Sequence, residues 1–329
     1  MVRVYHEDDA DLSVLDGETI SVIGYGNQGR AQALNMRDSR IKVIVGNIPD
    51  ESFKRAKEDG FDAYTISEAA EKGSIIFILL PDEVQPKVFE EDIEPHLTLG
   101  KALVFAHGYN LHYGFLSPPK EVDVILLAPR MVGKFVRELY DKGTGAPVFF
   151  CAHQDFTGRA MERALALAKG IGATRVGAME VTVAEETELD HFSEHFIAPV
   201  LSRAFILSYE VLTEMGYTPE AVLLELYASG EMGEVTKSMA VDGLVVQLPF
   251  HSKTSQYGQL TYADRVMSDD SKGLIRQIVR EIQEGTFARE WQMEQRLGYP
   301  VFKKLLERAY QHPINEAERR LKEKIHIDI

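Results

Sequence analysis

The sequence contains little cysteine and little positive charge. Its 329 residues include one cysteine, Cys151, so an internal disulfide is excluded. Lys and Arg number 36 against 51 Asp and Glu, which gives a formal net charge of −15. This balance argues against binding to nucleic acid or to an anionic membrane surface, because both need clustered basic residues. Cys151 lies in the apolar run VFFCAHQ, which predicts a buried thiol rather than a catalytic one.

Signals for export and membrane insertion are also lacking. The N-terminal stretch MVRVYHEDDADL is polar, which is not typical of a signal peptide, and no apolar run looks long enough to span a bilayer. These features predict a cytoplasmic protein that binds no membrane. The length suits two domains, and a hydrophobic content of 45% is sufficient for a large core.

Short apolar runs alternate with helical patterns in the first half of the chain. Such runs are typical of strands buried on both faces, and the alternation predicts a parallel sheet covered by helices. We therefore predict an α/β fold, with a Rossmann-type doubly wound parallel sheet in residues 1–182 and an all-helical domain in residues 183–329. The expected strands lie in residues 19–26, 41–47, 74–81, 102–108, 122–129, 146–153 and 174–182.

Two apolar stretches stand out in the helical half. Residues 196–216, FIAPVLSRAFILSYEVLTEMG, predict a helix in the core or in a subunit interface, because few of its faces tolerate water. Residues 242–250, DGLVVQLPF, contain Pro249, which is expected to end a helix.

A glycine-rich segment, VIGYGNQG, follows the first long apolar run and precedes a helical pattern. It matches GxGxxG in the context that this pattern requires. The glycines allow a tight turn and a close approach of pyrophosphate to the helix N-terminus, so the segment predicts a dinucleotide site. The residues concerned are Gly24, Tyr25, Gly26, Asn27, Gln28 and Gly29.

The identity of the dinucleotide depends on the residues after the second strand. A carboxylate of Asp50 or Glu51 would accept hydrogen bonds from the adenosine ribose and repel a 2′-phosphate, which favours NADH. Lys54 and Arg55 follow immediately and would instead pair with a phosphate, which leaves NADPH open.

A second motif, EETELDHFSEHF (185–196), is strongly acidic. If it begins a helix, Glu186, Asp190 and Glu194 share one face, and like charges at this spacing require a cation or solvent. Carboxylates suit Mg²⁺, whereas a solvated acidic face at a helix start is the alternative. His191 and His195 have the same spacing, but the segment lacks the HExxH form, so contacts with substrate are favoured over zinc ligation.

Together with further segments, these motifs resemble the short (class I) ketol-acid reductoisomerases over nearly the whole chain. The resemblance implies a knotted, dimerising helical domain, a small-molecule substrate and a two-step reaction. Two Mg²⁺ ions promote an alkyl migration in 2-acetolactate or 2-aceto-2-hydroxybutyrate, and NADH or NADPH then reduces the product in valine and isoleucine biosynthesis. The matching segments include GYGNQGRAQALNMRDS, LLPDEVQ, FAHGYNLHYG, EETELDHFSEHF, SKTSQYG and GTFAREW.

The same resemblance implies roles for individual residues. His107 would lie between nicotinamide and substrate, and Ser252 would contact substrate from the partner subunit. Asp190 would bridge both Mg²⁺ ions and Glu194 would ligate one of them. The remaining implied residues are Arg130 at the catalytic site, Asn47, Asp50, Pro81, Asp82, Gln85 and Gly133 at the cofactor, and Glu225 and Glu231 at the metals.

Departures from the family pattern gather at reactive positions. Arg130 stands where the family has lysine, and Ser229 stands where a glutamate should follow Glu225 by four residues. Glu231 fits only if two residues are inserted, and Glu234 is a further candidate.

Three functions therefore remain open. They are an active ketol-acid reductoisomerase, a related 2-oxo acid reductase without the migration, and a non-catalytic dinucleotide-binding oligomer. The retained His107, Asp190, Glu194 and Ser252 argue against the third. We expect a homodimer or a higher homo-oligomer.

Overall fold

The structure, a computed structural model, describes residues 2–325. The chain forms two units, Met1–Leu189 (unit 1) and Asp190–Ile329 (unit 2). The domain boundary expected between residues 182 and 183 lies at the start of a helix, Val183–Phe192, whose first turns belong to unit 1. Val183 is buried against strand residues of unit 1, which explains why this part of the helix stays with the sheet.

Unit 1 contains a nine-stranded sheet. The strand order is β1-β9-β8-β7-β6-β5-β2-β3-β4. Strands β2 to β7 are parallel to one another. Two pairs, β7 with β8 and β1 with β9, are antiparallel, so the sheet is mixed. The strands are β1 Val4–Tyr5, β2 Ile20–Ile23, β3 Val43–Gly46, β4 Ala63–Tyr64, β5 Ile75–Ile78, β6 Ala102–Phe105, β7 Asp123–Pro129, β8 Val148–Gln154 and β9 Ala178–Glu180.

Eight helices accompany this sheet. The central strands β2, β5, β6 and β7 are buried along their whole length, as expected from their continuous apolar character. The helices of unit 1 are α1 Asn27–Asp38, α2 Glu51–Glu58, α3 Ile66–Lys72, α4 Gln85–Val88, α5 Tyr109–His112, α6 Gly133–Asp141, α7 Ala160–Gly170 and α8 Val183–Phe192.

Alternate residues of each central strand enter two separate core clusters. Ile75 and Phe77 of β5 pack with α1 and α7, whereas Ile76 and Ile78 pack with α3 and the short π-helix Phe89–Ile93. Because successive side chains of a strand point to opposite faces, helices cover both faces of the sheet. This arrangement confirms the doubly wound fold, although β8 and β9 run against the expected parallel direction.

The strand order reverses between β2 and β5, and ligands of such folds bind at the carboxyl ends of the strands there. Glycine is required in the turn after β2. Gly24 has φ +93°, and a Cβ on Gly29 would lie 1.9 Å from the Gly24 carbonyl oxygen. Gly26 differs, since a Cβ there would meet nothing within 4 Å, which leaves open space beside the start of α1.

Unit 2 is helical, as expected. Its small core consists of Tyr209, Val222, Leu223, Ala317 and Leu321. Two π-helical segments, Ser193–Ile197 and Leu224–Ala228, interrupt the α-helices. The helices are α9 Ala198–Glu214, α10 Pro219–Leu223, α11 Glu231–Asp242, α12 Lys253–Val266, α13 Ser271–Gln283, α14 Thr286–Arg296, α15 Pro300–Tyr310 and α16 Ile314–Lys322.

The two apolar stretches of unit 2 are largely exposed in the single chain. In α9 only Tyr209 is buried, whereas Val211 is 50% exposed. Segment 242–250 is not a helix ended by proline: α11 already ends at Asp242, before Gly243 at φ +112°, and Pro249 lies in a short 3-10 turn. Val246 in this segment is 70% exposed.

The helical stretch Val183–Glu214 is long and apolar enough to cross a membrane by length and composition, with a mean hydropathy of 1.4 in its most apolar window. The expectation that no run reaches this length was wrong. Polar residues, some of them in groups such as Ser193-Glu194-His195, interrupt its apolar residues, so the stretch does not read as one continuous run. A helix that packs against another protein chain passes the same test. Composition alone therefore does not distinguish a membrane-spanning helix from a helix in a protein interface.

The buried state of Cys151 leads to a test of its reactivity. The side chain is 8% exposed, and burial raises the pKa of the Cys151 thiol to about 11. At pH 8 we expect the folded protein to react with a thiol reagent about 100-fold more slowly than the chain unfolded in guanidinium chloride, because thiolate is the reactive form. The rate should rise as pH increases from 8 to 10. Equal rates in the folded and unfolded chain would contradict this placement.

Candidate functional site

Asn47, after β3, ties the glycine segment to the loop that follows. It is 6% exposed, and its Oδ1 accepts a hydrogen bond from the backbone N–H of Tyr25 at 3.0 Å. Its Nδ2 donates to Asp50 Oδ1 at 2.8 Å. The same Asp50 oxygen accepts from the backbone N–H of Phe53 at 3.0 Å, so Asp50 caps α2. Asn47 and Asp50, both expected at the cofactor, are therefore held in place by each other.

Tyr25 contributes to this region through its backbone. Its side chain is 1% exposed, and its hydroxyl donates to Asp59 Oδ2 at 2.8 Å. Arg30 binds the same carboxylate through two hydrogen bonds, at 2.7 and 3.0 Å. The Tyr25 ring is thus turned into unit 1, and its side chain is not available to a cofactor.

A second network links the loops after β5 and β6. His107 Nδ1 lies 2.9 Å from Asp82 Oδ2. The buried amide of Asn110 donates to the Asp82 carbonyl at 2.9 Å and to Gln85 Oε1 at 3.0 Å. Gln85, which is 4% exposed, donates in turn to the carbonyl of Leu80 at 2.8 Å. These bonds orient the His107 ring at the carboxyl edge of the sheet, next to the exposed Pro81.

Glu186 of α8 joins this edge from a fully buried position. Its Oε2 accepts from the backbone N–H of Gly108 at 2.9 Å, and its Oε1 accepts from Arg130 Nη1 at 3.1 Å. The approach at Gly108 is close, because a Cβ there would lie 2.4 Å from Thr187 Oγ1. The guanidinium of Arg130 also lies over the Phe149 ring at 5.2 Å. Arg130 is therefore held by a carboxylate and an aromatic face.

Acidic and imidazole groups come together around Glu186. A ring nitrogen of His107 and a carboxylate oxygen of Glu186 lie within 4.8 Å of each other. Asp190 follows Glu186 by four residues on α8, which is about one helical turn. Oxygen donors at this spacing suit a hard cation such as Mg²⁺. Burial of His112 lowers its pKa, and Glu188 at 3.7 Å opposes this effect.

Glu194 does not continue the face formed by Glu186 and Asp190 as a regular α-helix would. The α-helix ends at Phe192, and Glu194 lies in the π-helical segment that follows. A π-turn inserts an extra residue per turn and is found frequently at functional sites. His191 and His195 are neighbours, with ring centroids 5.1 Å apart, and both pack against Phe287. Burial lowers the pKa of His195.

The candidates for the second pair of metal glutamates lie on different elements. Glu225 belongs to the second π-helical segment, which ends before Gly230 at φ +80°. Glu231 begins α11 after this glycine, and Glu234 forms an exposed ion pair with Lys237 at 2.7 Å. Both Glu225 and Glu231 are exposed in the single chain.

Ser252 caps α12. Its Oγ accepts a hydrogen bond from the backbone N–H of Ser255 at 3.2 Å. The residue is exposed in the single chain, so its hydroxyl is open to other partners.

Two residues of this edge were missed as site residues by sequence reasoning. Glu186 was considered only as part of an acidic helix face, although it lies one turn before Asp190. Asn110, in FAHGYN, gave no sign of its position between Asp82 and Gln85.

Gly133 lies against the glycine segment. A Cβ on Gly133 would lie 2.3 Å from the carbonyl oxygen of Asn27, so α6 begins in contact with the start of α1. Gln28 Nε2 donates to the carbonyl of Met131 at 2.8 Å and fixes this arrangement from the other side.

Comparison with known proteins places the chain in a family. The family model described as acetohydroxy acid isomeroreductase, NADPH-binding domain, matches residues 14–177, and the model described as ketol-acid reductoisomerase, C-terminal domain, matches residues 183–326. The chain belongs to the ketol-acid reductoisomerase family. The family, the fold and the expected enzyme class, an NAD(P)H-dependent oxidoreductase, are thereby confirmed.

Relatives in this family match over almost the whole chain. A ketol-acid reductoisomerase (NADP(+)) of Methanocaldococcus jannaschii is 41% identical over 324 residues, with 98% of each chain covered. That of Pyrobaculum aerophilum is 43% identical over 318 residues, with 96% of each covered. A solved NADH-preferring ketol-acid reductoisomerase from an uncultured archaeon superposes with a TM-score of 0.94 at 35% identity, with 99% of this chain and 100% of that chain covered.

The buried Glu186 carboxylate gives a test of how this edge is held. Replacing Glu186 with Gln puts an amide N–H group against one of the two donors and removes the charge that pairs with Arg130, so we expect the free energy of unfolding to fall by about 2–3 kcal/mol. Urea unfolding followed by circular dichroism measures the change. Glu185→Gln, at an exposed neighbour on the same helix, is the control and should change little. If both variants unfold alike, Glu186 does not hold the edge together.

Proposed function

We propose that the chain is an active ketol-acid reductoisomerase. It would convert 2-acetolactate or 2-aceto-2-hydroxybutyrate to the 2,3-dihydroxy acid with Mg²⁺ and a reduced nicotinamide dinucleotide, in branched-chain amino acid biosynthesis. The observation that carries the proposal is the group of His107, Arg130 and the buried Glu186 at the carboxyl edge of a dinucleotide-binding sheet.

The donor set fits the metal that this function requires. Asp190 and Glu194 would hold Mg²⁺, joined by Glu225 and Glu231, because carboxylate oxygens are its preferred protein ligands. Bound Mg²⁺ would supply polarisation of the substrate carbonyl and hydroxyl oxygens. Glu186 accepts two hydrogen bonds within unit 1, so its main contribution is to orient Arg130 and the backbone at Gly108.

His107 and Arg130 would act on the substrate side of the nicotinamide. Asp82 fixes the orientation of the His107 ring through Nδ1. Arg130 keeps the positive charge of the family's lysine, but guanidinium does not release its proton. Arg130 would therefore stabilise oxyanion charge, and proton transfer would use His107 or a water. Ser252 would contact substrate from the partner subunit.

The nicotinamide dinucleotide would rest on the glycine segment, with Asn47 and Asp50 at the adenosine ribose. The open space beside Gly26 leaves room for its diphosphate at the start of α1. Pro81, Asp82, Gln85 and Gly133 would complete the cofactor contacts. The Asp50 carboxylate favours NADH, and the NADH-preferring relative supports this preference.

Exposed apolar surface on unit 2 supports a homodimer. Val211 of α9, Val246, Tyr257 and Val266 are each at least 50% exposed in the single chain. Large apolar side chains exposed in such number normally mark a protein interface or a membrane contact. We propose that a second copy covers it, that the helical stretch Val183–Glu214 enters no membrane, and that the enzyme is cytoplasmic.

A specific observation favours a second candidate function, a reductase without the migration. The helix break at Gly230 separates Glu225 from Glu231, and Ser229 stands at the expected position of a glutamate. Loss of one carboxylate would impair the alkyl shift more than the reduction of a 2-oxo acid. Only the alkyl shift requires the charges of two neighbouring oxyanions to be neutralised.

Cofactor oxidation separates the two candidates. The purified protein is supplied with NADH or NADPH and with 2-acetolactate or 3-hydroxy-3-methyl-2-oxobutanoate, each with and without Mg²⁺. We expect Mg²⁺-dependent turnover of both substrates. Turnover of the second substrate alone would establish the reductase, and cofactor binding without turnover of either would refute both enzyme functions.

Asp190→Asn tests the metal assignment. The amide keeps the shape of the side chain but removes its charge, so we expect Mg²⁺-dependent turnover to fall by at least about 100-fold while the Kd of NADH stays unchanged. Asp269→Asn, at a side chain that is 90% exposed, is the matched control and should retain full activity. Unchanged turnover in Asp190→Asn would remove this residue from the metal site.

Val211→Glu tests the dimer. We expect the wild-type protein to have twice the mass of the chain in light scattering, and we expect this variant to dissociate because it places a charge in an apolar interface. Val176→Glu, at a valine that is 44% exposed in unit 1, serves as the control and should remain dimeric. A wild-type protein with the mass of one chain would contradict the proposal.

A further inference from the structure

Unit 2 contains a cavity that no step of the proposed reaction uses. Its volume is about 430 Å³, which lies within the range of pockets that hold small organic molecules. Side chains of α9, α15 and α16 line it, together with one residue of the π-helical segment Leu224–Ala228. The cavity therefore lies wholly within unit 2.

The cavity faces a different side of α9 from the apolar surface that the second copy is proposed to cover. Val211 belongs to that surface and is 50% exposed. It follows Ser202, which lines the cavity, by about two and a half helical turns, so the two residues lie on opposite faces of α9. Contact of a second copy with Val211 therefore does not fill the cavity.

Much of the cavity wall is apolar. Phe205 and Ile206 of α9 are half-buried, and the Phe205 ring packs against Tyr227 with the ring centroids 5.0 Å apart. Leu305 of α15 and Ile314 of α16 complete this part of the wall. An aliphatic chain in the cavity would remove these side chains from water, which favours its binding.

Most polar groups of the wall already have partners. Tyr227 donates its hydroxyl hydrogen to Glu318, and burial together with this bond raises the pKa of Tyr227, so the hydroxyl stays protonated. His312 Nε2 lies 3.1 Å from Glu210 Oε1. Asn315 Nδ2 donates to backbone carbonyls, the nearest at 2.9 Å. These groups shape the wall but offer a ligand little.

Arg203 and Arg308 are the exceptions. They belong to α9 and α15, and both line the cavity. Both side chains are exposed, and neither makes a hydrogen bond or an ion pair within residues 2–325. The chain has an excess of acidic residues, with 51 Asp and Glu against 36 Lys and Arg. Two guanidinium groups without carboxylate partners at one cavity favour an anionic ligand, because guanidinium binds carboxylate in a matched geometry.

The charges of the wall favour a monoanion. Arg203 and Arg308 supply two positive charges and Glu318 supplies one negative charge, so the lining carries one net positive charge when His312 is neutral. A phosphate dianion or a dicarboxylate would exceed this charge and would be repelled by Glu318. A single carboxylate on an apolar chain matches both the charge and the apolar wall.

The cavity also reaches the segment that carries a candidate metal ligand. Tyr227 follows Glu225 by two residues in the same π-helical segment. A ligand packed against Tyr227 would restrain this segment. A carboxylate that is already restrained loses less conformational entropy when it binds a cation.

We propose that the cavity binds a monocarboxylate with a short aliphatic chain through Arg203 and Arg308, and that this ligand strengthens Mg²⁺ binding through the Tyr227 segment. The effect on Mg²⁺ rests on the proposed function, because it requires Glu225 to be a metal ligand. The binding of the carboxylate does not depend on that function.

Isothermal titration calorimetry with hexanoate tests the site. The purified full-length protein is titrated without Mg²⁺ or cofactor, and 1-hexanol and acetate serve as probes that lack the charge or the chain. We expect hexanoate to bind at least about tenfold more tightly than either. Arg203→Gln and Arg308→Gln each remove a charge-assisted contact, so each should raise the Kd of hexanoate about tenfold. Lys303→Gln, at an exposed cation of α15 that does not line the cavity, is the matched control and should change nothing.

Mg²⁺ titrations with and without saturating hexanoate test the effect on the metal site. We expect hexanoate to lower the Kd of Mg²⁺ about fivefold, a coupling of ordinary size between two sites. The effect should vanish in Arg308→Gln, whose Kd for Mg²⁺ without hexanoate should equal that of the wild type. Bound hexanoate that leaves the Kd of Mg²⁺ unchanged would refute the coupling.

Other results would overturn the carboxylate site itself. No measurable binding of hexanoate, or equal binding of 1-hexanol, would exclude recognition of a carboxylate. Unchanged Kd values in both arginine variants would place hexanoate elsewhere on the protein. Tighter binding of norleucine, which adds an ammonium group to the same chain, would mean that Glu318 takes part and that the ligand is not a monoanion. If hexanoate binds as expected but no Mg²⁺ binds, the proposed metal site fails while the cavity assignment stands.

Discussion

The functional edge of unit 1 depends on one buried carboxylate. Glu186 has no exposed surface, and its two oxygens accept hydrogen bonds from the loop after β6, through Gly108, and from the loop after β7, through Arg130. Two loops from adjacent strands are thus fixed to one helix by a single side chain. A buried charge without these donors would cost several kcal/mol, so the helix and both loops have to fold together.

The hydrogen bonds of Glu186 explain why glycine is required at position 108. Gly108 lies so close to α8 that a Cβ would clash with Thr187, and the short N–H to carboxylate distance follows from that approach. His107 precedes this glycine, so its backbone is fixed by Glu186 while its ring is fixed by Asp82. Two separate contacts, one at its backbone and one at its ring, therefore orient the candidate catalytic histidine. Arg130 takes part in the same arrangement, and its stacking on Phe149 leaves it little freedom to move toward or away from the edge.

The sequence allowed the sheet, the glycine segment and the family to be predicted, because each depends on local signals. Buried central strands give continuous apolar runs, and a GxGxxG turn needs glycine for reasons that the structure repeats at Gly24 and Gly29. Strands β1 and β4 were not predicted, because two residues form no pattern. The antiparallel direction of β8 was not predicted either, because its connection from β7 contains a helix, α6, as the connection between two parallel strands normally does. The π-helical segments at Glu194 and Glu225 have no sequence signature either, so spacing alone placed these glutamates on ideal helical faces.

The helix break at Gly230 bears directly on the chemistry. A glycine at φ +80° adopts a conformation that other residues disfavour, so the break is built into the sequence and is not an accident of packing. It turns the chain between Glu225 and Glu231 and gives Glu231 the first position of a new helix, where the helix dipole favours a carboxylate. Two glutamates on separate helices can still converge on one site, but their separation is then set by the turn instead of by a fixed helical repeat. Because the π-helical segment at Glu225 also departs from that repeat, the carboxylates of unit 2 are arranged by local irregularities. The migration step therefore depends on the geometry of this turn and not on the number of acidic residues.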